Sequence, residues 1–205
     1  MDLMRFATAS EESLRQELIA IIASSSTLTR TLEQLREMAL PDAWIVSGAI
    51  YNQVWNVLTG RPEMYGVKDI DLFYFDPDTS WEAEDVVIQR GAKLFAPEPY
   101  VEIRNQARVH LWFKDKFGLD YAPLRSSSEG VDRFASTTHC VGVRLMDTLE
   151  ASVEIYAPFG LRDIFTLHLK PNTVLDNRDV YEQKAASQKQ RWPELKVAPW
   201  PEQGH

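Results

Sequence analysis

Two pairs of carboxylates lie close together in the stretch KDIDLFYFDPDTS (68–80): Asp69 with Asp71, and Asp76 with Asp78. Either pair can hold a divalent cation, but the two imply different reactions. Asp69 and Asp71 flank Ile70 at the start of DIDLFYF, a run of high β-propensity. Residues two apart on a strand point to the same face, so these side chains project together, roughly 7 Å apart at Cα. Two carboxylates at that spacing suit Mg²⁺, which takes oxygen ligands and keeps positions open for water and phosphate. In two-metal phosphoryl chemistry one ion activates the attacking hydroxyl and the other neutralises the leaving pyrophosphate. Such a site usually needs a third acid. Glu102, between Val101 and Ile103, has the pattern of a strand acid turned to one face, and an adjacent strand can bring it to the pair.

The second element is the turn Ser47-Gly48-Ala49, set between WIV (44–46) and IYNQVWNVL (50–58). This reads as strand, tight turn and helix, with Gly60 as the C-terminal cap. Gly48 lets backbone approach a phosphate, and the N–H groups opening the helix make an anion site. Ser47 can add a hydroxyl hydrogen bond, whereas Ala49 offers only its backbone. Arg61 and Lys68 lie in the loop before the acid strand, where a cation meets a triphosphate or is simply solvated.

Asp76 and Asp78 read in two ways. An apolar strand ending in D-P-D-T matches the opening of a haloacid-dehalogenase-like phosphatase site, with Asp76 as nucleophile and Asp78 as acid/base. That reaction also needs a later Ser or Thr, a Lys and a second acidic pair. The candidates are Thr137/Thr138, Lys170, and Asp176 with Asp179, and the last pair follows no apolar strand. The simpler reading is a turn around Pro77 that starts a helix over 81–90, capped by Ser80.

Around these motifs the pattern is mixed. Residues 10–39 read as helix interrupted by Ser24-Ser25-Ser26, with a Thr8/Glu11 capping box at the start and Pro41 beyond the end. YVEIRN (100–105), ARVHLWF (107–113) and FASTTHCVGVRL (134–145) read as strands. FGLRDIFTLHL (159–169) and DVYEQKAASQKQRW (179–192) read as helices, followed by an extended Pro-rich tail anchored by Trp192 and Trp200. The expectation is an α/β (α+β) fold on one sheet, organised as a helical segment (1–40), a core (41–150) and a helical extension (151–205). Arg104 is placed on the face opposite Glu102. His110, His139 and His168, set in apolar runs, read as structural, and Cys140 has no evident base partner.

The chain carries 30 acidic against 22 basic residues, a formal net charge of −8. This weighs against a groove tracking long nucleic acid, though not against a small nucleotide neutralised by metal. One cysteine excludes an intramolecular disulfide framework and suits a reducing compartment. The opening residues lack the apolar run of a signal peptide and no stretch approaches a membrane span, so a cytoplasmic setting without membrane partners is expected.

The order of these motifs, glycine turn, apolar-D-I-D-apolar, then apolar-E-apolar, resembles the polymerase-β-type nucleotidyltransferase superfamily. Over most of residues 44–195 the chain is similar to a bacterial nucleotidyltransferase-like family. The similar stretches are WIVSGAIYNQVWNVLTGRP (44–62), KDIDLFYFDPDTSWEAED (68–85), YVEIRNQARVHLWF (100–113), APFGLRDIFTLHLKPN (157–172) and YEQKAASQKQRWPEL (181–195). The resemblance implies a mixed-sheet core and transfer of a nucleoside monophosphate from an NTP to a hydroxyl acceptor, with release of pyrophosphate. It implies Mg²⁺ or Mn²⁺ at Asp69, Asp71 and Glu102, and phosphate at Ser47 and Gly48. The acceptor stays open between a small molecule, a protein hydroxyl and an RNA end, and the acidic charge favours the first two. Two features depart from the superfamily pattern: Ala49 stands where Gly or Ser is usual, and Asp69 lies farther than usual from Gly48, so the loop 60–67 must fold aside. The alternative is a non-catalytic nucleotide-binding or regulatory module on the same fold.

Overall fold

The computed structural model describes residues 3–97, 100–146 and 152–202. In chain order the elements are α1 (Met4–Ala7), α2 (Glu11–Ser24), α3 (Ser26–Met38), β1 (Trp44–Val46), α4 (Gly48–Thr59), β2 (Ile70–Tyr74), α5 (Trp81–Leu94), β3 (Val101–Asn105), α6 (Val109–Phe117) and α7 (Ser127–Val131). They continue with β4 (Gly142–Leu145), β5 (Val153–Tyr156), α8 (Arg162–Phe165), β6 (His168–Leu169), α9 (Arg178–Arg191) and β7 (Lys196–Val197). Strands β3-β2-β1-β4-β5 form a five-stranded mixed sheet, in which only β2 and β3 run parallel, joined through α5. The fold is α/β, as expected.

Helices α2 and α3 form because Leu14, Leu18, Ile21 and Ile22, then Leu28, Leu32, Leu35 and Met38, keep one apolar stripe that the core buries. Ser25 separates them: its hydroxyl oxygen accepts the Leu28 N–H and its hydroxyl donates to Glu63. The start of α2 is capped by Ser10, which accepts the Ser13 N–H, and not by Thr8. Helix α4 buries Ile50, Val54 and Trp55 completely, and the Trp55 indole donates to the Ile164 carbonyl. Gly60 ends α4 at φ 69° and Ser80 caps α5, as the sequence indicates.

Three segments differ from their sequence reading, and each is diverted by a polar side chain or a backbone reversal. In ARVHLWF the strand never forms: the Asn105 side chain accepts the N–H groups of Ala107 and Asp76, bending the chain into a 3₁₀ turn (106–108) and α6. In FASTTHCVGVRL, Ser136 accepts the Thr138 N–H and donates to the Lys170 carbonyl, so a 3₁₀ turn occupies 137–139 and only Gly142–Leu145 is strand. In FGLRDIFTLHL the helix spans only Arg162–Phe165, because Leu167 at φ 57° turns the chain into β6. Strand β6 pairs in parallel with β7, so the start of the tail is structured, and Trp192 is fully buried. Residues 203–205 of the tail, and the 150/151 boundary between expected segments, lie outside the described residues. Among the described residues no helix is long and apolar enough to cross a membrane.

Candidate active site

Sheet register brings the sequence motifs together. Val46, the last residue of β1, is opposite Asp71 on β2, and Asp71 is opposite Glu102 on β3. The chain leaves β1 at Ser47 and enters α4 at once, so the start of this helix lies beside the acid pair. Ser47 adopts φ 57° and ψ −113°, a backbone conformation that is costly for a residue with a side chain. Its N–H donates to the Val141 carbonyl, while its own carbonyl accepts from Ile50 and Tyr51. No side chain caps α4, and Gly48, its first residue, lies on the cleft wall with its N–H uncapped. A methyl on Gly48 would approach nothing closer than 3.9 Å. Packing therefore does not demand glycine there; the missing side chain leaves bare backbone at the cleft.

That cleft, of about 220 Å³, is lined by Ser47, Gly48, Lys68, Asp69, Asp71 and a face of α9. The face comprises Lys184, Ser187, Gln188 and Arg191, spaced i, i+3, i+4 and i+7 along the helix. Trp192 fixes it in place by donating to Asn56 Oδ1, 3.1 Å away, and packing against the Trp55 ring. The loop 60–67 folds aside only in part: Gln53 and Asn56 of α4 bind the backbone of Met64 and Tyr65, while Gly66, at φ 75° against Trp192, and Val67 line the cleft. Ala49 is fully buried and contributes only backbone. Lys68 lines the cleft. Arg61 does not: its guanidinium pairs with Glu194 at 3.1 Å, which corrects its sequence placement.

Charge is unbalanced at the acids. The Asp71 carboxyl is pushed up to about 7, chiefly by burial and then by the neighbouring Asp69, with Glu102 adding to the rise and Lys184 and Arg104 opposing it. Glu102 Oε1 accepts from Arg104 Nη2 at 2.6 Å. The two therefore share a face, as residues two apart on a strand must, contrary to the placement expected for Arg104. Among the described residues no three acid, histidine or cysteine side chains converge closely enough to hold an ion unaided. Asp69, Asp71 and Glu102 are neighbours by register and charge without forming a closed cage.

Sequence reasoning missed the residues behind the acids. Gln188 donates to the Tyr51 hydroxyl at 2.7 Å and meets His139 Nε2 through Oε1 at 3.1 Å. Tyr51 bonds Ser47 and stacks on His139, and burial together with the charge of Asp71 pushes its phenol well up. Burial holds the His139 imidazole neutral, down to about 3, with Lys184 adding to the effect. His139 is thus structural, as expected. Asn52, on the cleft wall and 5% exposed, has a side-chain oxygen that meets no partner. The stripe on α9 was the available signal: polar residues at helical spacing with two cations on one face.

Asp76 and Asp78 lie outside the cleft. Asp76 Oδ1 accepts the Asp78 N–H and Asp78 Oδ1 accepts the Ser80 N–H, both at 2.9 Å. Asn105 Nδ2 ties down both aspartate carbonyls. The pair is a stacked turn leading into α5.

Residues 33–197 match the model of a protein family described as nucleotidyltransferase. Among solved structures, a protein whose NMR structure is described as revealing a CCA-adding enzyme head domain is 25% identical, with a TM-score of 0.76 over 90% of this chain and 96% of that one. A tRNA nucleotidyltransferase complexed with a primer tRNA and an ATP analogue is 18% identical, with a TM-score of 0.49, and the match spans 46% of its length. A Bacillus stearothermophilus CCA-adding enzyme in complex with CTP is 17% identical, with a TM-score of 0.47 over 42% of its length. No curated protein matches the chain in sequence.

Proposed function

This chain belongs to the nucleotidyltransferase family, and we propose that it moves a nucleoside monophosphate group from an NTP to a hydroxyl acceptor, releasing pyrophosphate. The observation that carries this reading is the cleft in which Asp69 and Asp71 share walls with the uncapped start of α4 and the cations of α9. On this reading the Gly48 N–H, the Ser47 hydroxyl, Lys68, Lys184 and Arg191 hold the β- and γ-phosphates, while Ala49, fully buried, stays behind them. An anion is favoured there by the helix end and by four positively charged or donor side chains. Segments 1–40 and 151–205 would be additions to a 41–150 core, the second supplying the α9 wall.

The donor set fits a divalent cation such as Mg²⁺ or Mn²⁺. A carboxyl that burial and neighbouring acids hold at about 7, against the opposing charge of Lys184 and Arg104, is a hard oxygen donor left incompletely neutralised. Mg²⁺ is commonly held by one or two carboxylates with substrate phosphates completing its shell, so the lack of a three-residue cage is compatible with it. Asp69 and Asp71 would be the ligands, with Glu102 completing the set. The ion would supply charge neutralisation for the phosphates and acidify the acceptor hydroxyl. Glu102, on the far side of Asp71 from the phosphate cleft, would take the acceptor proton. The low net basicity of the chain speaks against a long nucleic-acid acceptor.

The test is calorimetric NTP binding with and without Mg²⁺ or Mn²⁺, for the native protein and for Asp69→Ala and Asp71→Ala. Binding that needs the ion and is lost in both variants supports the assignment. Equal binding of NTP and metal by all three proteins would overturn it.

A further inference from the structure

A second depression, of about 250 Å³, opens on the other side of Asp71. Of these two depressions, Asp69 lines the phosphate cleft and not the groove, Glu102 lines the groove and not the cleft, and Asp71 and Lys184 line both. Displacement at a phosphorus places the attacking and leaving oxygens roughly in line. With pyrophosphate leaving toward Lys184, Lys68 and Arg191, the attacking oxygen approaches from the opposite side, where Glu102 stands. The donor's own nucleoside leaves the α-phosphorus sideways from that line. The groove is therefore positioned for the acceptor.

Its lining describes the acceptor. Trp112, Phe113 and Phe117, on α6, line it together with Tyr121, packed on Phe113 at 4.2 Å, and with the stacked pair Phe73 and Phe134, and this aromatic lining suits a planar ring. Two cations sit over the same rings. Lys116 Nζ is 5.5 Å from the Trp112 ring centroid and 5.3 Å from that of Phe117, and the Arg133 guanidinium is 4.6 Å from that of Tyr121. Neither Lys116 nor Arg133 makes an ion pair with an acid among the described residues, which leaves positive charge for an anionic ligand. An independent signal comes from Asn177, which is 8% exposed, lines the groove, and has a side-chain oxygen with no hydrogen-bond partner. A buried amide left unpaired is costly, and a ligand N–H or O–H would satisfy it. The volume, about 250 Å³, lies just below the usual ~300–1,000 Å³ of ligand sites, which suits a single nucleoside unit and no strand.

We propose, on the basis of the transferase reading above, that this groove is the acceptor site and that the acceptor is a free nucleoside monophosphate. Its base stacks among the α6 rings, its phosphate meets Lys116 and Arg133, and a ribose hydroxyl points to Asp71 and Glu102. In the transfer, that hydroxyl oxygen forms the new bond to the α-phosphorus of the NTP. The bond from the α-phosphorus to the bridging oxygen breaks, pyrophosphate departs with the electron pair, and the hydroxyl proton passes to Glu102.

The test uses the full chain with Mg²⁺, saturated with α,β-methylene-ATP, whose scissile linkage cannot transfer. AMP, CMP, GMP and UMP are then titrated in by calorimetry, beside a five-nucleotide RNA. At least one mononucleotide should bind the analogue-loaded protein, and Trp112→Ala and Lys116→Ala should each weaken it about ten-fold while leaving analogue binding unchanged. Both residues lie on a helix that buries only Val109 within the fold, and analogue binding itself reports that the variants are folded. Displacement of the mononucleotide by the analogue would overturn the proposal, because the two would then share one site. Binding of the pentanucleotide alone would overturn it in favour of an RNA end. If the analogue binds and no other probe does, the acceptor assignment falls while nucleotidyl transfer stands. If the analogue itself fails to bind, both fall.

Discussion

Replacing Asp71 by asparagine should make the metal-free protein more stable, and the gain should depend on pH in a defined way. Asp71 is held at about 7 in the fold against an ordinary value of 3.8. Its ionisation therefore costs the folded state, the reverse of a salt-bridged carboxylate. The sign follows: the penalty is full above about 7, shrinks as pH falls, and is gone below 3.8, where folded and unfolded chains are both protonated. The difference of about 3 units, at 1.36 kcal/mol each, amounts to roughly 4 kcal/mol at pH 8. Asparagine keeps the shape and removes the charge, so it should recover most of that. For a chain of this size, 1 kcal/mol is worth about 2–4 °C, giving a rise in Tm of roughly 10 °C. The assay is thermal unfolding in EDTA at several pH values between 4 and 8, for the native protein and Asp71→Asn. The two curves should converge near pH 4 and separate toward pH 8. Added Mg²⁺ should close the gap by stabilising only the native protein. A variant that melts at or below the native temperature at pH 8, or a difference that ignores pH, would refute the charge argument.

Lys184→Ala should raise the KM for NTP about ten-fold, from loss of one charge-assisted phosphate contact, and lower Tm at pH 8 more than at pH 4, because it removes the cation that opposes the charge on Asp71. Glu84→Ala should destabilise by about 3–5 kcal/mol in denaturant titration. Glu84 is buried, accepts the Asn105 N–H at 2.8 Å and lies 2.9 Å from Arg108 Nε, an ion pair without an aligned hydrogen bond, so its loss strands both partners. His139 is held down to about 3 from 6.5, so the unfolded chain alone binds its proton and stability is lost as pH falls from 6.5 toward 3. That acid-side decline, seen by chemical unfolding in the Asp71→Asn background, should flatten in His139→Gln. Gly66→Ala puts a Cβ 2.5 Å from Trp192 Cη2 at φ 75°, and should cost about 1–3 kcal/mol in denaturant titration while raising the KM for NTP, since Gly66 lines the cleft.

The parts of the site that were legible in sequence are those whose geometry is local. The turn at Ser47-Gly48 follows from a short apolar strand meeting a helical stripe, and Asp69, just before β2, reaches the same cleft as Asp71 on it, as a spacing of two suggests. The Asp76/Asp78 turn was legible for the same reason, since proline between two short polar side chains forms turns. What was not legible depends on side chains that redirect backbone from a distance. Asn105 turns ARVHLWF into helix by binding Asp76 and Ala107 at once, and periodicity cannot register that bond. Ser136 diverts FASTTHCVGVRL through the Lys170 carbonyl, 34 residues away. The aromatic groove was hidden by the same error. Read as a strand, 107–113 would put Trp112 and Phe113 on opposite faces, whereas on α6 both reach the groove wall.

The cations of α9 explain how an acid cluster survives inside the fold. Asp71 and Glu102 come from adjacent strands, Asp69 from the residue before β2, and the three would repel whatever the rest of the chain did. Part of the counter-charge is local, from Arg104 paired with Glu102, and the larger part at Asp71 comes from Lys184, about 80 residues along from Glu102 in sequence, on a helix that Trp192 locks to Asn56. Lys184 lowers Asp71 without neutralising it, since the carboxyl still stands at about 7. A closer cation would form a finished salt bridge and leave nothing for a ligand to do, while no cation would make the buried acids too costly. The same helix carries Gln188, which spans from neutral His139 to Tyr51, and Tyr51 bonds Ser47 at the helix start. The C-terminal helix thus sets both the charge and the hydrogen bonding of a site whose acids and glycine lie on other elements. Mutations at its anchor, Trp192 or Asn56, should reach the cleft as well as the core.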